Sequence, residues 1–318
     1  AYGGTAIAAT ASGTYVITPG GLTSDDYSIA FEDGELSITQ RDIDEASIAS
    51  IANLVYTGSA QTVSPEVTFN SLNLVEDTDY TTSFEGNTNA GTATITLTGI
   101  GNYTGTKEQA FTITSKTLTI TAVDKTKTYD GSAFPQANYS VTYDGFVVGE
   151  DKDNSDLIGT IDYGGTAIAA TASGTYVITP SGLTSDNYSI VYEDGELSIT
   201  QRDISEASIA DIADLVYTGS AQTVSPEVTF SSLNLVEDTD YTTSFEGNTN
   251  AGTATITLTG IGNYTGTQTK EFTITSKTLT ITAEDKTKVY DGSAFPQANY
   301  SVTYDGFVVG EDKDTSDL

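Results

Sequence analysis

The chain contains no histidine, no cysteine, no methionine and no tryptophan. Without histidine there is no imidazole base poised near neutral pH. Without cysteine there is no thiol nucleophile, no disulfide and no thiolate zinc site. With no sulfur at all, oxidation at sulfur is not a hazard, which suits long exposure outside a cell. Basic residues are scarce as well: 12 Lys and Arg stand against 44 Asp and Glu, a formal net charge of −32. Phosphate backbones need a basic footprint, so nucleic acid is excluded as a partner, and charge-driven docking on an anionic membrane fails likewise. No run of the sequence is long and apolar enough for direct membrane insertion, and no signal peptide or lipidation motif is legible. The missing initiator methionine is expected of an internal or processed segment.

What is present points to β structure. The chain has 318 residues, of which 37% are hydrophobic. The apolar set is Ile, Val, Leu and Ala with many Tyr, set among Thr, Ser and Gly. Such residues fit a pleated, half-buried surface. The length suits roughly two to four modest domains.

An internal repeat organises the chain. Tyr2-Gly3-Gly4-Thr5 returns as Tyr163-Gly164-Gly165-Thr166, a spacing of 161 residues, and the stretch ending at Leu157 returns ending at Leu318. The copies agree at roughly nine positions in ten, far beyond what a shared fold demands. Ile158 to Asp162 match nothing else in the chain. The substitutions are mostly polar, such as Asp44 to Ser205 and Asn53 to Asp214, whereas Leu118/Leu279 and Ile120/Ile281 are unchanged. Near-verbatim duplication adds length rather than a new active site.

Within each copy two module types alternate. The first, an Ig-like β module, spans 41–115 and again 202–276. Its clearest strand is Thr92 to Thr98, where Ala93, Ile95 and Leu97 face one way and the threonines the other. Glu66 to Phe69, Asp79 to Phe84 and Phe111 to Thr114 are further strands. The second spans 116–201 across the repeat seam. It opens with the alternating Thr117 to Thr121 and closes with Tyr188 to Tyr192, Glu193-Asp194-Gly195 and Glu196 to Thr200. Asp-Gly between two alternating runs predicts a hairpin. One helical turn is expected at Gly149 to Leu157, and Ile43 to Ile51 is ambiguous. Residues 1–40 then form the C-terminal half of a second-type module and 277–318 the N-terminal half of another. Each half is expected to depend on neighbouring repeats of the same polypeptide or on other copies of the chain. The alternative places module boundaries near Ile158 to Asp162, but that stretch lacks Pro and Ser and reads poorly as a linker. The expected fold is all-β with little helix: tandem small β-sandwich or β-grasp-like modules arranged as an elongated rod.

The motifs carry a family resemblance. Asn87-Thr88-Asn89-Ala90-Gly91-Thr92, then Gly101-Asn102-Tyr103-Thr104-Gly105-Thr106 and Phe111-Thr112-Ile113, resemble tandem repeats of large bacterial surface proteins. Lys127-Thr128-Tyr129-Asp130-Gly131 and Asn187 to Ile199 resemble the YDG and MBG-type modules found beside them, which implies that 41–115 and 202–276 are YDG-type, that 116–201 is MBG-like, and that 1–40 and 277–318 are halves of MBG-like modules. The resemblance implies an extracellular spacer of an adhesin or surface filament, of a kind that includes some used in bacterial gliding. It projects an adhesive tip from the cell surface and is no enzyme. The alternative is that the repeats themselves bind glycan or host surface with weak multivalent affinity.

The candidate sites are sparse. Asp151, Asp153, Ser155 and Asp156, repeated as Asp312, Asp314, Ser316 and Asp317, alternate hard oxygens as the start of a calcium loop does. The turn glycine and bidentate glutamate of an EF-hand are missing, so a solvated acidic loop is the competing reading. No cofactor is required, and calcium is the one ion these loops would take. Glu76-Asp77-Thr78-Asp79 and Glu237-Asp238-Thr239-Asp240 are weaker ion candidates. Paired carboxylates for glycoside hydrolysis lack any accompanying Trp or His. Asn102, Asn138 and Asn187 stand in glycosylation-acceptor patterns, but serve better as turn formers.

Overall fold

The strand Gly91–Gly99 shows how the alternation becomes structure. Ala93, Ile95 and Leu97 are each 0% exposed, while the intervening threonines look away from the core. It pairs antiparallel with Thr106–Thr114 on one side and Tyr80–Glu85 on the other. Leu54–Val55 adds a parallel edge against Ile113 and Thr114. The copy Gly252–Gly260 repeats the arrangement between Thr267–Thr275 and Tyr241–Glu246.

The computed structural model describes residues 1–231 and 233–318. Among these the chain is all β, with no α-helix and short 3-10 turns such as Ile43–Glu45 and Gln136–Asn138. Ile43 to Ile51 resolves into that first 3-10 turn followed by the strand Ser47–Ile48. The helical turn expected at Gly149 to Leu157 is only a pair of backbone turns, with Glu150 N–H on the Val147 carbonyl and Ser155 N–H on that of Asp151. Ile158 to Asp162, unmatched elsewhere, lie in the strand Ile158–Gly164 rather than in a connection.

Two compact units emerge. The first comprises residues 1–122, 140–163 and 179–194, and the second 123–139, 164–178 and 195–318. Segment 116–201 therefore contributes to both. In the first unit Lys116–Ala122 lies between Val141–Asp144, antiparallel, and Tyr188–Glu193, parallel. Leu118 and Ile120 of that central strand are fully buried and join one continuous core with Ile43, Val67, Ile95 and Phe111. Segments 41–115 and 116–201 thus share one apolar interior. In the second unit Lys125–Thr128 runs parallel to Leu197–Thr200, and Gly174 to Ile178 runs antiparallel to the same strand. Ile204, Val228, Phe230 and Leu258 form a core there, with Tyr129 packed against it.

The hairpin expected at Asp194-Gly195 does not form. Tyr188–Glu193 pairs with Lys116–Ala122, whereas Gly195–Thr200 belongs to the sheet of Lys125–Thr128 and Gly174–Thr184. A two-residue type I′ hairpin needs positive φ at both central residues, and neither Asp194 nor Gly195 adopts it. The Asp-Gly pair instead marks the point where the chain changes sheets.

Candidate functional site

The built feature of the first unit is the junction between segments 41–115 and 116–201. Tyr56 leaves the edge strand Leu54–Val55 with its N–H on the Thr114 carbonyl, 2.9 Å away. Tyr188 opens the strand beside Lys116. Between them Glu150 accepts the Tyr56 hydroxyl on Oε1 at 2.6 Å and the Tyr188 hydroxyl on Oε2 at 2.7 Å. The Tyr188 oxygen also accepts the Val147 N–H at 3.0 Å. The two rings meet edge to face at 5.5 Å, and Phe146 closes on Tyr188 in the same manner. Such ring pairs add to the area they bury.

Burial, then the Glu150 hydrogen bond and charge, raise the Tyr56 phenol far above its ordinary value. Burial first also lifts Tyr188, to about 12, with the Val147 N–H opposing it and Glu150 adding to it. Both tyrosines are therefore neutral donors at physiological pH. Close approach is possible because residue 58 is glycine. At φ +76 it sits where an added Cβ would come within 2.8 Å of Val147 Cγ2.

A second anchor lies alongside. Asp156 accepts Ser185 Oγ at 2.6 Å, Asp186 N–H at 3.0 Å and Asn187 N–H at 2.9 Å. Asn187, buried to 7% exposure, accepts the Ala90 N–H on Oδ1 at 2.8 Å and the Lys116 N–H on its carbonyl at 3.0 Å. One carboxylate and one amide thus tie separate stretches of chain together.

This placement gives the proposed ion ligands different partners. Asp151 caps its own turn, accepting the Asp153 and Asn154 N–H groups. Asp153 pairs with Lys152. Ser155 Oγ is buried and unpartnered. In the second copy Asp312 caps its turn, Asp314 pairs with Lys313, and Ser316 Oγ is again buried without a partner. Asp317 lines a groove described below. Among the described residues no group of three or more acidic side chains is placed to hold a metal. Glu76 and Asp79 likewise serve a turn, taking the Thr82 hydroxyl and the Val75 N–H.

The second unit repeats the junction. Tyr217 donates to Glu311, and an added Cβ on Gly219 would meet Val308 at 2.6 Å. Here Tyr217, Leu279, Phe307, Val308, Glu311 and Asp317 line an open groove of about 460 Å³. The same unit shows what the Tyr129-Asp130-Gly131 motif does. Asp130 accepts Lys127 Nζ at 2.6 Å and Ser132 N–H at 2.9 Å, and Gly131 takes φ +76. The turn presents Tyr129 edge-on to Tyr264 at 5.4 Å. Tyr264 in turn stacks on Phe230, and the Arg202 guanidinium lies over the Phe230 ring at 4.1 Å.

Sequence reasoning did not find the Tyr56–Glu150–Tyr188 cluster. Tyr56 and Tyr188 stand 94 and 38 residues from Glu150, beyond any local pattern. The usable signal was the unchanged recurrence of Tyr56 and Glu150 as Tyr217 and Glu311.

The fold and these junctions define an all-β chain built from small repeated modules. Residues 118–198 match the family model of the MBG domain (YGX type). No curated protein matches the chain. Among solved structures, Drosophila N-cadherin EC1-4 is similar at 9% identity over 83% of each chain, with a TM-score of 0.26.

Proposed function

We propose that this chain is a structural repeat region, a stalk or spacer, of a long extracellular bacterial adhesin or surface filament, and that it performs no catalysis. The observation that carries this reading is the junction built twice with the same parts: Tyr56–Glu150 beside Gly58, and Tyr217–Glu311 beside Gly219. A linker-free junction with a shared core resists hinge motion, because bending it would expose apolar surface and break paired carboxylate bonds. The stalk reading requires such modules to follow one another as an elongated rod. The absence of Cys and Met supports a role in an oxidising exterior, and the net charge of −32 supports mutual repulsion of neighbouring stalks.

Small-angle scattering of the 318-residue chain tests the reading. An elongated profile whose cross-section stays constant is the expected result. A compact globular profile would overturn the stalk.

A further inference from the structure

Segments 41–115 and 202–276 are identical except at Asp44, Ser50, Asn53, Asn70 and the run Lys107-Glu108-Gln109-Ala110. These read Ser205, Asp211, Asp214, Ser231 and Gln268-Thr269-Lys270-Glu271 in the second segment. Each segment lies whole within one compact unit. The changes are not scattered. The dipeptide Lys-Glu has moved two residues along its strand, from Lys107-Glu108 to Lys270-Glu271. A step of two keeps each side chain on its own face of the sheet. Lys107 stands opposite Leu97 in the register, and Lys270 stands opposite Ile256, the counterpart of Ile95.

The acid that meets the lysine has moved with it. In the first segment Lys107 Nζ reaches the Asp44 carbonyl at 2.5 Å and the Asp44 carboxylate at 3.8 Å. In the second segment Ser205 replaces that acid, and Lys270 Nζ pairs with Asp211 at 2.9 Å, where the first segment has Ser50. Each segment thus keeps one ion pair between its last long strand and the arm that opens it, residues 41–55 or 202–216. Only the place of the pair differs. Local stability does not account for the move. Gln268, at the place of Lys107, donates its amide N–H to the Ala207 carbonyl at 2.8 Å and leaves its Oε1 buried with no partner. An unpaired buried acceptor costs free energy, so the second arrangement is no improvement on the first.

We infer that the relocated ion pair is a matching code that returns each arm to the strand of its own segment and disfavours exchange of arms between the copies, within one chain or between two. The apolar contacts cannot make this distinction. Ile43, Ile48, Ile51 and Leu54 of the first arm recur unchanged as Ile204, Ile209, Ile212 and Leu215 of the second. Near-identical neighbours are the setting in which elements are exchanged and chains misassemble. Laid on Thr267–Thr275, the first arm would set Asp44 against Gln268 and Ser50 against Lys270. Laid on Thr106–Thr114, the second arm would set Ser205 against Lys107 and Asp211 against Gln109. The native arrangement therefore holds both ion pairs and the exchanged one holds neither. Exposed pairs are individually weak, so the code shifts the ratio of native to exchanged chains a few-fold and does not forbid exchange. The inference stands independently of the stalk reading, since it concerns only which arm matches which strand.

Two chains with the code made uniform test it. In one, Ser205→Asp, Asp211→Ser, Gln268→Lys and Lys270→Gln give both segments the first arrangement. In the other, Asp44→Ser, Ser50→Asp, Lys107→Gln and Gln109→Lys give both the second. Each keeps two ion pairs, and exchange no longer breaks them. Because the chain has no cysteine, one engineered pair reports the pairing. Val55 lies beside Thr114 and Val216 beside Thr275, so Val55→Cys with Thr275→Cys is joined when the arms are exchanged. The cysteine pair is placed in the wild-type chain and in both uniform chains. All three are refolded from urea at micromolar concentration in physiological salt and oxidised mildly. The fraction linked between positions 55 and 275, in monomer or dimer, is read by non-reducing electrophoresis and peptide mapping. Both uniform chains should link at least about twofold more than wild type, the least that two exposed ion pairs would give. A rise in only one of them overturns the inference, by marking local destabilisation of one segment. Equal linkage in all three chains, or none in any, overturns it as well.

Discussion

Tyr56 and Tyr188 end on opposite oxygens of one carboxylate, that of Glu150, at 2.6 and 2.7 Å, with their rings crossed at 82°. Both rings are nearly buried, at 6% and 3% exposure. Removing the carboxylate would leave two buried hydroxyls without this acceptor. Glu150→Ala should therefore destabilise the first unit by about 2–3 kcal/mol, the scale of hydrogen bonds to a charged group. Glu311→Ala, which forfeits the single Tyr217 bond beside an open groove, should cost clearly less. Urea titrations followed by tyrosine fluorescence check the difference, and equal losses would contradict the two-oxygen account.

The same tyrosines set an alkaline limit. The folded Tyr188 phenol lies at about 12, above the ordinary 10.0. Between these values the unfolded chain has released the proton and the folded chain has kept it. Stability is complete below pH 10 and falls as pH rises towards 12. Thermal melts across this range, with tyrosinate absorbance recorded alongside, should show Tm falling before Tyr188 ionises. At the acid end, Lys127 and Ser132 lower Asp130 to about 2. Its contribution is present above 3.8 and lost as pH falls towards 2, and its half-exposed side chain keeps it small.

Core truncations should be duplicated between copies. Ile95 and Ile256 are both 0% exposed on equivalent strands. Ile95→Ala and Ile256→Ala should each cost about 2–5 kcal/mol, whereas Val148→Ala, at a fully exposed position, should cost almost nothing. Denaturant midpoints of the three variants provide the comparison.

Gly145 should tolerate no side chain. It holds φ +117, and an added Cβ would lie 2.4 Å from the Thr117 carbonyl oxygen. Gly145→Ala combines backbone strain with a clash against a buried strand, for a loss of about 2–4 kcal/mol. Because the turn places Phe146 and Val147 against Tyr188, hydrogen exchange of Lys116–Ala122 should accelerate in this variant.

Calcium should leave the fold unchanged. Asp156 already accepts three donors, Asp151 Oδ1 caps its own turn, and among the described residues no three acidic side chains are grouped to hold a metal. Tm in calcium and in excess chelator should agree within about 1 °C. A drop on chelation would return the Asp151 to Asp156 loop and its copy to the role of ion sites.

The strands with strict alternation were legible because period two and a buried face are local properties. Ala93, Ile95 and Leu97 announce their own side of the sheet. The partner of a strand is not local. Tyr188–Glu193 runs parallel to a strand some seventy residues upstream, and nothing near Asp194-Gly195 distinguishes that outcome from a hairpin. The acidic loop is ambiguous for a related reason. Alternating oxygens look alike whether they converge on an ion or on backbone N–H groups. Only the fold brings the Ser185 hydroxyl and the Asn187 N–H to Asp156.

In segments 41–115 and 116–201 alike an early strand lies parallel to a late one: Leu54–Val55 beside Ile113 and Thr114, Lys116–Ala122 beside Tyr188–Glu193, and Lys125–Thr128 beside Leu197–Thr200. A tensile load on the two ends of such a segment drags the paired strands past each other lengthwise. The hydrogen bonds of the pair are then strained together in shear, whereas a terminal hairpin would unzip them one at a time. Resistance to forced unfolding is a matter of rate, and loading in shear raises the barrier that sets that rate. Strand pairs wired in this way would resist a pull on their ends with no disulfide to lock them.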